Sequence, residues 1–275
     1  MKRKLLIEAI SSSAGGSLVH LKNILNNFEK QNFFNQIDVL IPKKSIKFMP
    51  KKKNINYIYN SFLEKNLVLR IIWQVLYLNI FIRFRNYNCI FVTGSSHFLL
   101  SKNVVTISQN LLPFTDNEVK KYFLSFFYLK LRLLKLTQII SFKLSRGIIF
   151  LHKYSKNEIL KFVKSTKAKI EVIAHSVDLK RKRINRLNHK KFRFIYISNI
   201  DYYKNQDFII DTLVDLFEKK PVLSNKIYVE FYGNYYLPAL KNMNYKISLL
   251  GKNKKNFKYF GLLPREKIYK YKKGF

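Results

Sequence analysis

A doubly wound α/β architecture in two domains, the second incomplete, is what this sequence predicts. Three observations predict it. Short apolar runs alternate with segments of helical apolar spacing almost from end to end. A loop of small residues, Ser11 to Ser17, stands between the first such strand and the first such helix. One basic, polar stretch, Lys180 to Lys191, interrupts the alternation, which then restarts. Strands that alternate with helices form parallel sheets covered by helices on both faces.

Residues 4–10 read as the first strand. Leu18, Leu21, Ile24, Leu25 and Phe28 then recur at helical spacing. Ile37 to Ile41 is a short strand stopped by Pro42, followed by a basic loop over 43–53. Ile55 to Tyr59 reads as a strand and 62–86 as a long helix. Cys89 to Thr93 and Val104 to Ser108 are further strands. Thr115-Asp116-Asn117-Glu118 has capping-box spacing, so a helix is expected to start there, with 119–144 helical in one or two pieces. Gly147 to Leu151 is a buried strand. Ser155-Lys156-Asn157-Glu158 is a second capping box opening a helix to about Lys164, and Ile170 to Ile173 is again a strand. Beyond the basic stretch come strand Phe192 to Ser198, helix Gln206 to Glu218, strand Ile227 to Tyr232, a helix near Pro238 to Leu250, strand Phe257 to Phe260 and a helix start at Pro264. This division predicts domains over 1–184 and 185–275.

The composition fits a globular protein, with 48% hydrophobic residues in a chain of 275 and little Pro or Gly. The lone cysteine, Cys89, excludes an internal disulfide or a multi-cysteine metal site and makes a reducing compartment the default. The net charge of +36 has two readings. One is attraction to something anionic: nucleic acid, acidic lipid headgroups or phosphorylated donors. The other is compositional drift, since Lys, Asn, Ile, Phe and Tyr are together abundant. The field is present under either reading.

Met1 to Glu8 mimics a signal peptide only briefly, because Glu8 and then Ser11 to Ser13 end the apolar run; a buried first strand fits better. Leu67 to Ile82 is too short to span a bilayer and contains Arg70, Gln74 and Asn79, so no transmembrane segment is expected. Tyr122 to Arg146 mixes many Phe, Leu and Ile residues with Lys130, Arg132, Lys135 and Lys143, and Lys121 precedes it. A basic amphipathic helix of this kind can lie in a membrane interface; a core helix with a basic outer face is the other reading.

Several side chains stand where chemistry is expected. Gly15 and Gly16 let a phosphate or sugar approach the backbone at a helix N-terminus, although glycine for a tight turn explains them too. The loop is not a full G-x-G-x-x-G, so a dinucleotide is not favoured. His97 follows a strand end, as do His152 and His175. His20 lies on the first helix, and His189 in the basic stretch reads as solvated. No two histidines have metal-ligand spacing. Asp207, Asp211 and Asp215 fall on one helical face, which reads as a solvated stripe rather than a metal site.

Several segments together resemble the large retaining family called glycosyltransferase family 4, or group 1, and the resemblance covers nearly the whole sequence. Ala14-Gly15-Gly16-Ser17 is similar to its glycine loop, and Ser108-Gln109-Asn110-Leu111-Leu112-Pro113-Phe114 to its HN-x-x-P-F segment. Gly147 to Leu151 with Tyr154-Ser155-Lys156 resembles the element before its hinge, and Ile173-Ala174-His175-Ser176-Val177-Asp178 its I-P-x-G-V-D. Phe194 to Ser198 with Tyr203-Lys204-Asn205-Gln206 resembles its donor-diphosphate strand and turn. Phe231-Tyr232-Gly233 and Phe260-Gly261-Leu262-Leu263-Pro264-Arg265-Glu266 match later landmarks. Three departures stand out. Gln109 replaces the usual histidine. Asn199 stands at the usual arginine. The family's two spaced glutamates are expected beyond Phe275, so on this reading the protein is truncated at its C-terminal end.

The resemblance implies the GT-B-like architecture of two Rossmann-type domains, and transfer of a sugar, with retention, from a nucleotide-sugar donor to a glycan or lipid-linked acceptor. It implies that Gly15, Gly16, Asn199, Lys204 and Gly233 meet the donor phosphates and that His97, Gln109 and Asn110 orient the acceptor. It implies no cofactor and no metal, since the aspartate-any-aspartate triplet of metal-dependent sugar transfer is absent. The expected setting is cytoplasmic, with the inner membrane face as a peripheral partner. An incomplete, inactive product and a basic membrane or nucleic-acid binder stay open as alternatives, although no specific nucleic-acid motif occurs.

Overall fold

In the computed structural model, residues 3–12, 15–28, 33–60, 67–175 and 191–263 are described. Ser13 and Ala14 of the first loop, most of the basic stretch with His189, and the landmark from Pro264 onward lie outside them. The protein forms two compact units, Met1–Asp178 and Leu179–Phe275.

The first unit runs β1 (Lys4–Glu8), α1 (Gly15–Asn27), β2 (Gln36–Leu40), α2 (Lys43–Ile46), β3 (Ile55–Ile58), α3 (Leu67–Arg85), β4 (Cys89–Val92), β5 (Val104–Ser108), α4 (Asp116–Lys120), α5 (Phe126–Leu144), β6 (Gly147–Phe150), α6 (Lys153–Leu160) and β7 (Lys169–Val172). Its seven strands lie in the order β3-β2-β1-β4-β5-β6-β7, every pair parallel. The second unit runs β8 (Phe192–Ile197), α7 (Gln206–Lys219), β9 (Ile227–Tyr232), α8 (Leu237–Ser248) and β10 (Phe257–Tyr259), in a parallel sheet ordered β10-β9-β8.

The two-residue side-chain period of a strand explains why β1 is apolar throughout its middle. Leu6 points to one face and packs with Leu78 and Ile82 of α3, Ile90 and Val92. Leu5 and Ile7 point to the other and pack with Leu21 and Leu25 of α1, Ile37 and Val39. Each fully buried Leu or Ile contributes about 1.5–3 kcal/mol. Both faces of the central strand are therefore committed to packing, and only the strand ends remain for chemistry.

Local starts and stops differ from expectation in two places. At α4, Thr115 makes no side-chain cap bond; its hydroxyl donates instead to the Leu111 carbonyl at 3.3 Å, and Glu118 pairs with Lys121. α6 begins before Ser155, because His152 is the cap: its Nδ1 accepts from the Ser155 N–H at 3.2 Å, and the Ser155 hydroxyl donates to the His152 carbonyl at 2.9 Å. A histidine ring has replaced the hydroxyl that the spacing suggested. The helical stretch 119–144 is two pieces, divided at Leu124, which has φ 61°, and restarted by Ser125, whose hydroxyl accepts from the Tyr128 N–H at 3.1 Å.

His97 corrects an expectation. It is 5% exposed and lies beneath α5 rather than facing a substrate. Nδ1 accepts from the Leu99 N–H at 3.2 Å, which puts the proton of the neutral ring on Nε2, 2.9 Å from the Ser145 hydroxyl. Ser145 in turn donates to the Ser141 carbonyl, and the Ser141 hydroxyl bridges to the His97 backbone. Both ring nitrogens are used in joining the β4 end to α5, so none is left to orient an acceptor. Burial lowers the His97 pKa to about 4.

At the corresponding end of the second sheet, Gly233 has φ 151°. A Cβ there would overlap the Ser198 carbonyl and stand 3.0 Å from the Asn199 nitrogen. Glycine is thus what lets the ends of β8 and β9 meet. Gly16 differs: a Cβ built on it meets nothing within 4 Å.

Two outcomes are expected. Gly233→Ala should destabilise the protein by on the order of 3 kcal/mol or more, whereas Gly16→Ala should be neutral or stabilising by up to about 1 kcal/mol; urea denaturation separates them. His97, with its folded pKa below the ordinary 6.5, binds its proton more weakly when folded. Its contribution is full above about pH 6.5 and is lost as pH falls from there towards about 4, a loss on the order of 3 kcal/mol. Urea midpoints taken across that window should fall less steeply for His97→Gln than for the parent protein; parallel slopes would contradict the assignment.

Candidate functional site

In a parallel α/β sheet the strands' carboxyl ends, with the helix N-termini that follow them, are where backbone N–H groups point outward unsatisfied. In the first unit this rim is laced together by short polar contacts. The Ser12 hydroxyl lies 3.1 Å from that of Thr93, and Thr93 donates to the Glu8 carbonyl at 3.1 Å. The Thr106 hydroxyl donates to the Gly94 carbonyl at 2.8 Å, and a Cβ on Gly94 would stand 3.0 Å from the Ser11 hydroxyl oxygen. The loops after β1 and β4 are thereby held against the end of β5.

Gly15 and Gly16 open α1 on this rim. Gly15 has φ 65°, which explains one glycine by backbone conformation. Gly16 is exposed, and no neighbouring atom requires it to lack a side chain. The first turn of α1 carries no acidic residue, so its positive end is not neutralised from within the helix.

Gln109 and Asn110 sit one step along the rim, at the end of β5. The Gln109 N–H donates to the Ser95 hydroxyl at 3.3 Å, while its side-chain Nε2 is buried and has no partner among the described residues. The Ser108 hydroxyl beside it is in the same state. Asn110 is exposed, and its Oδ1 accepts from the Leu112 N–H at 3.1 Å, turning the backbone into the 3-10 segment Leu112–Phe114. Its amide N–H groups are the donors it can offer outward. The structure therefore brings the glycine loop, Gln109 and Asn110 onto one rim and withdraws His97 from it.

Two arrangements of residues noted in the sequence were not foreseen. His20 of α1 and His175 beyond β7 meet edge to face with ring centroids 4.1 Å apart. Burial, and then His175, lower the His20 pKa to about 4. Glu8, at the end of β1, is 4% exposed, and its Oε1 accepts from Gln74 Nε2 at 3.3 Å and from the Ile10 N–H at 3.4 Å. The signal was in plain sight: an acidic residue that breaks an apolar run at a strand end is placed beside the loop that follows.

In the second unit, Asn199, Lys204 and Gly233 converge on the sheet's carboxyl end. Ser198 and Ile200 donate to the Tyr232 and Asn234 carbonyls at 2.9 and 2.8 Å, so the backbone around Asn199 runs beside Gly233. Gln206 is 2% exposed and closes the β8–α7 loop from inside: its Nε2 donates to the Asn199 carbonyl at 2.8 Å and its Oε1 accepts from the Asp201 N–H at 3.4 Å. Lys204 lies in the 3-10 turn Tyr202–Lys204; its carbonyl accepts from Tyr196 OH at 2.7 Å, and its ammonium sits 4.7 Å from the Tyr203 ring centroid. Lys204 has no ion-pair partner among the described residues. Asn205, at φ 56°, caps α7 without a side-chain cap bond.

The aspartates of α7 are held in a different way from the solvated stripe expected. Asp207 accepts from Asn242 Nδ2 at 2.7 Å and Asp211 pairs with Lys246 at 2.6 Å, tying α7 to α8. Asp215 is exposed. Among the described residues no group of three or more His, Cys, Asp or Glu side chains is placed to hold a metal ion.

Compared with family models and with curated proteins, the sequence finds no match. Solved structures do match. HepE of Anabaena, solved with UDP and glucose, superposes with a TM-score of 0.63 at 13% identity, over 95% of this protein and 70% of that one. WaaG, a glycosyltransferase involved in lipopolysaccharide biosynthesis, gives 0.62 at 12% identity, over 94% and 70%. The trehalose-6-phosphate synthase OtsA gives 0.58 at 13%, over 98% and 76%. At such identities the likeness is one of fold, and the protein has the GT-B fold, built of two Rossmann-type units, that these structures share.

Proposed function

We propose that the protein is a glycosyltransferase that moves a sugar from a nucleotide-sugar donor to a glycan or lipid-linked acceptor, with retention at the anomeric carbon. The observation that supports this most is the convergence of Lys204, the N-terminus of α7 and the Ser198–Gly233 backbone approach at one sheet end, in a protein of this fold. A departing nucleoside diphosphate needs its charge neutralised. A lysine without an ion-pair partner among the described residues and a row of helix N–H groups supply that electrostatic stabilisation.

In the proposed reaction, the bond between the anomeric carbon and the diphosphate oxygen breaks, and the acceptor oxygen bonds to that carbon on the same face. The acceptor's proton passes to the leaving diphosphate oxygen, so no side-chain base and no metal are required. Gln109 and Asn110 then orient the acceptor by donating hydrogen bonds, since an amide cannot exchange a proton at neutral pH. Gly15 and Gly16 leave the backbone open on that side. Glu8 supports the loop from below. HepE, solved with UDP and glucose, is a neighbour of the same fold and makes uridine sugars the first donors to try.

Titration calorimetry of the full-length protein with uridine and guanosine sugar nucleotides should give micromolar binding to one of them. Lys204→Ala should weaken that binding by about 10- to 100-fold, the worth of a hydrogen bond to a charged group. Gln109→Leu should leave donor affinity unchanged and lower transfer. Absence of binding to every donor, or unchanged affinity in Lys204→Ala, would overturn the proposal.

A further inference from the structure

β2 carries a carboxylate inside the core of the first unit. Asp38 is 1% exposed and lies between the buried Ile37 and Val39. Burying a charge is costly unless it is paired and hydrogen-bonded. Here it is both. Tyr87 OH donates to Asp38 Oδ2 at 2.6 Å, and the Arg85 guanidinium stands 3.9 Å from the same oxygen. Gln36 Nε2 and Asn56 Nδ2 donate to Oδ1 at 3.1 and 3.3 Å. These last two bonds reach beyond the core, because they fix side-chain amides of two adjacent strands by their nitrogens.

A cleft opens over these amides. Its volume is about 370 Å³, and it is lined by Asn35, Gln36, Lys53, Asn54 and Asn56. That is large enough for a small molecule, whose sites begin at about 300 Å³. The cleft lies at the amino ends of β2 and β3. The rim that carries Gly15, Gln109 and Asn110 lies at the strands' carboxyl ends, and the length of β2 alone, about 13 Å, separates the two.

The bonds within the protein determine what the cleft offers. Asp38 holds the nitrogens of Gln36 and Asn56, so their oxygens are left to accept, and no described residue donates to them. Asn35 gives its oxygen to the Arg3 N–H at 3.0 Å, which leaves its amide nitrogen to donate. Lys53 has no ion-pair partner among the described residues, and its ammonium is a second donor. Asn54 is anchored by its backbone, whose carbonyl accepts from the Ile37 N–H at 2.9 Å. Its Oδ1 is shielded and has no partner among the described residues. No bond holds that amide in one orientation, so it can present either its nitrogen or its oxygen.

This set selects a ligand class. The fixed amide oxygens oppose an anion, and the ammonium opposes a cation. A hydroxyl both donates and accepts, so several hydroxyls on one rigid ring satisfy oxygens and nitrogens together. We propose that the cleft is a binding site for a neutral saccharide, with Gln36 and Asn56 accepting from its hydroxyls and Asn35 and Lys53 donating to them. Amides already held by Asp38 lose little rotamer freedom when the ligand arrives. The site shares no residue with the sugar-transfer rim, and the proposal stands whether or not that reading does.

Saturation-transfer NMR of the full-length protein tests it, with the methyl glycosides of glucose, galactose, mannose and N-acetylglucosamine as probes. At least one should bind with a millimolar dissociation constant, equally with and without saturating UDP. Lys53→Ala with Asn54→Leu should weaken that binding by at least about tenfold, while leaving the thermal melt and the calorimetry with sugar nucleotides unchanged. Absence of binding by every glycoside would overturn the proposal, as would binding that UDP displaces or that the double variant retains. Tighter binding of glucuronate or inorganic phosphate, removed by the same substitutions, would also overturn it by making the cleft an anion site.

Discussion

Parallel strand pairing is the constraint on which the rest depends. Every pair in both sheets is parallel, so each connection must return over a face, and both faces of the first sheet's central strands are sealed by packing. Polar chemistry is thereby driven to the strand ends. The same geometry aims helix N-termini at those ends, which gives the rims a positive, donor-rich character before any side group is considered. The lysine of the second unit adds a full charge to a field the backbone has already set up.

The rims are held by buried amides and hydroxyls more than by charge. Gln206 closes one loop from inside, and Ser95, Thr93 and Thr106 close others. Such contacts fix backbone position without consuming the groups that face outward. His97 belongs with them: a residue type associated with proton transfer serves here as a two-ended strut between β4 and α5. The outer surface follows a different logic. There apolar side chains remain uncovered on α3 and α5 while the core beneath them is closed.

The alternation of strands and helices was legible because most strands of the first sheet are short apolar runs and most of the long helices carry a periodic stripe. The parallel pairing and the second unit's small sheet followed from that alternation. What was not legible depended on partners distant in sequence. Asp38 lies between the apolar Ile37 and Val39 of β2 at 1% exposure, and its carboxylate is satisfied by Tyr87, Gln36 and Asn56. Ser155 has the right spacing for a cap, yet His152 reaches the helix start first. His97 follows a strand end, as a ligand-binding residue would, and only the fold reveals Ser145 beside it. The seam on α5 could be seen as an amphipathic stretch, but which of its sides is covered required the position of the sheet, and the matching seam on α3 was hidden inside a run that is apolar all round.

The account's central claim is that a nucleotide sugar is held by the carboxyl end of the second sheet. Hydrogen exchange of the full-length protein at saturating donor tests it most directly. Slowed exchange of the backbone amides over 199–208 and 233–235, with the strands' opposite ends unchanged, is the predicted result. Protection elsewhere, or none at a donor concentration where calorimetry shows saturation, would contradict it.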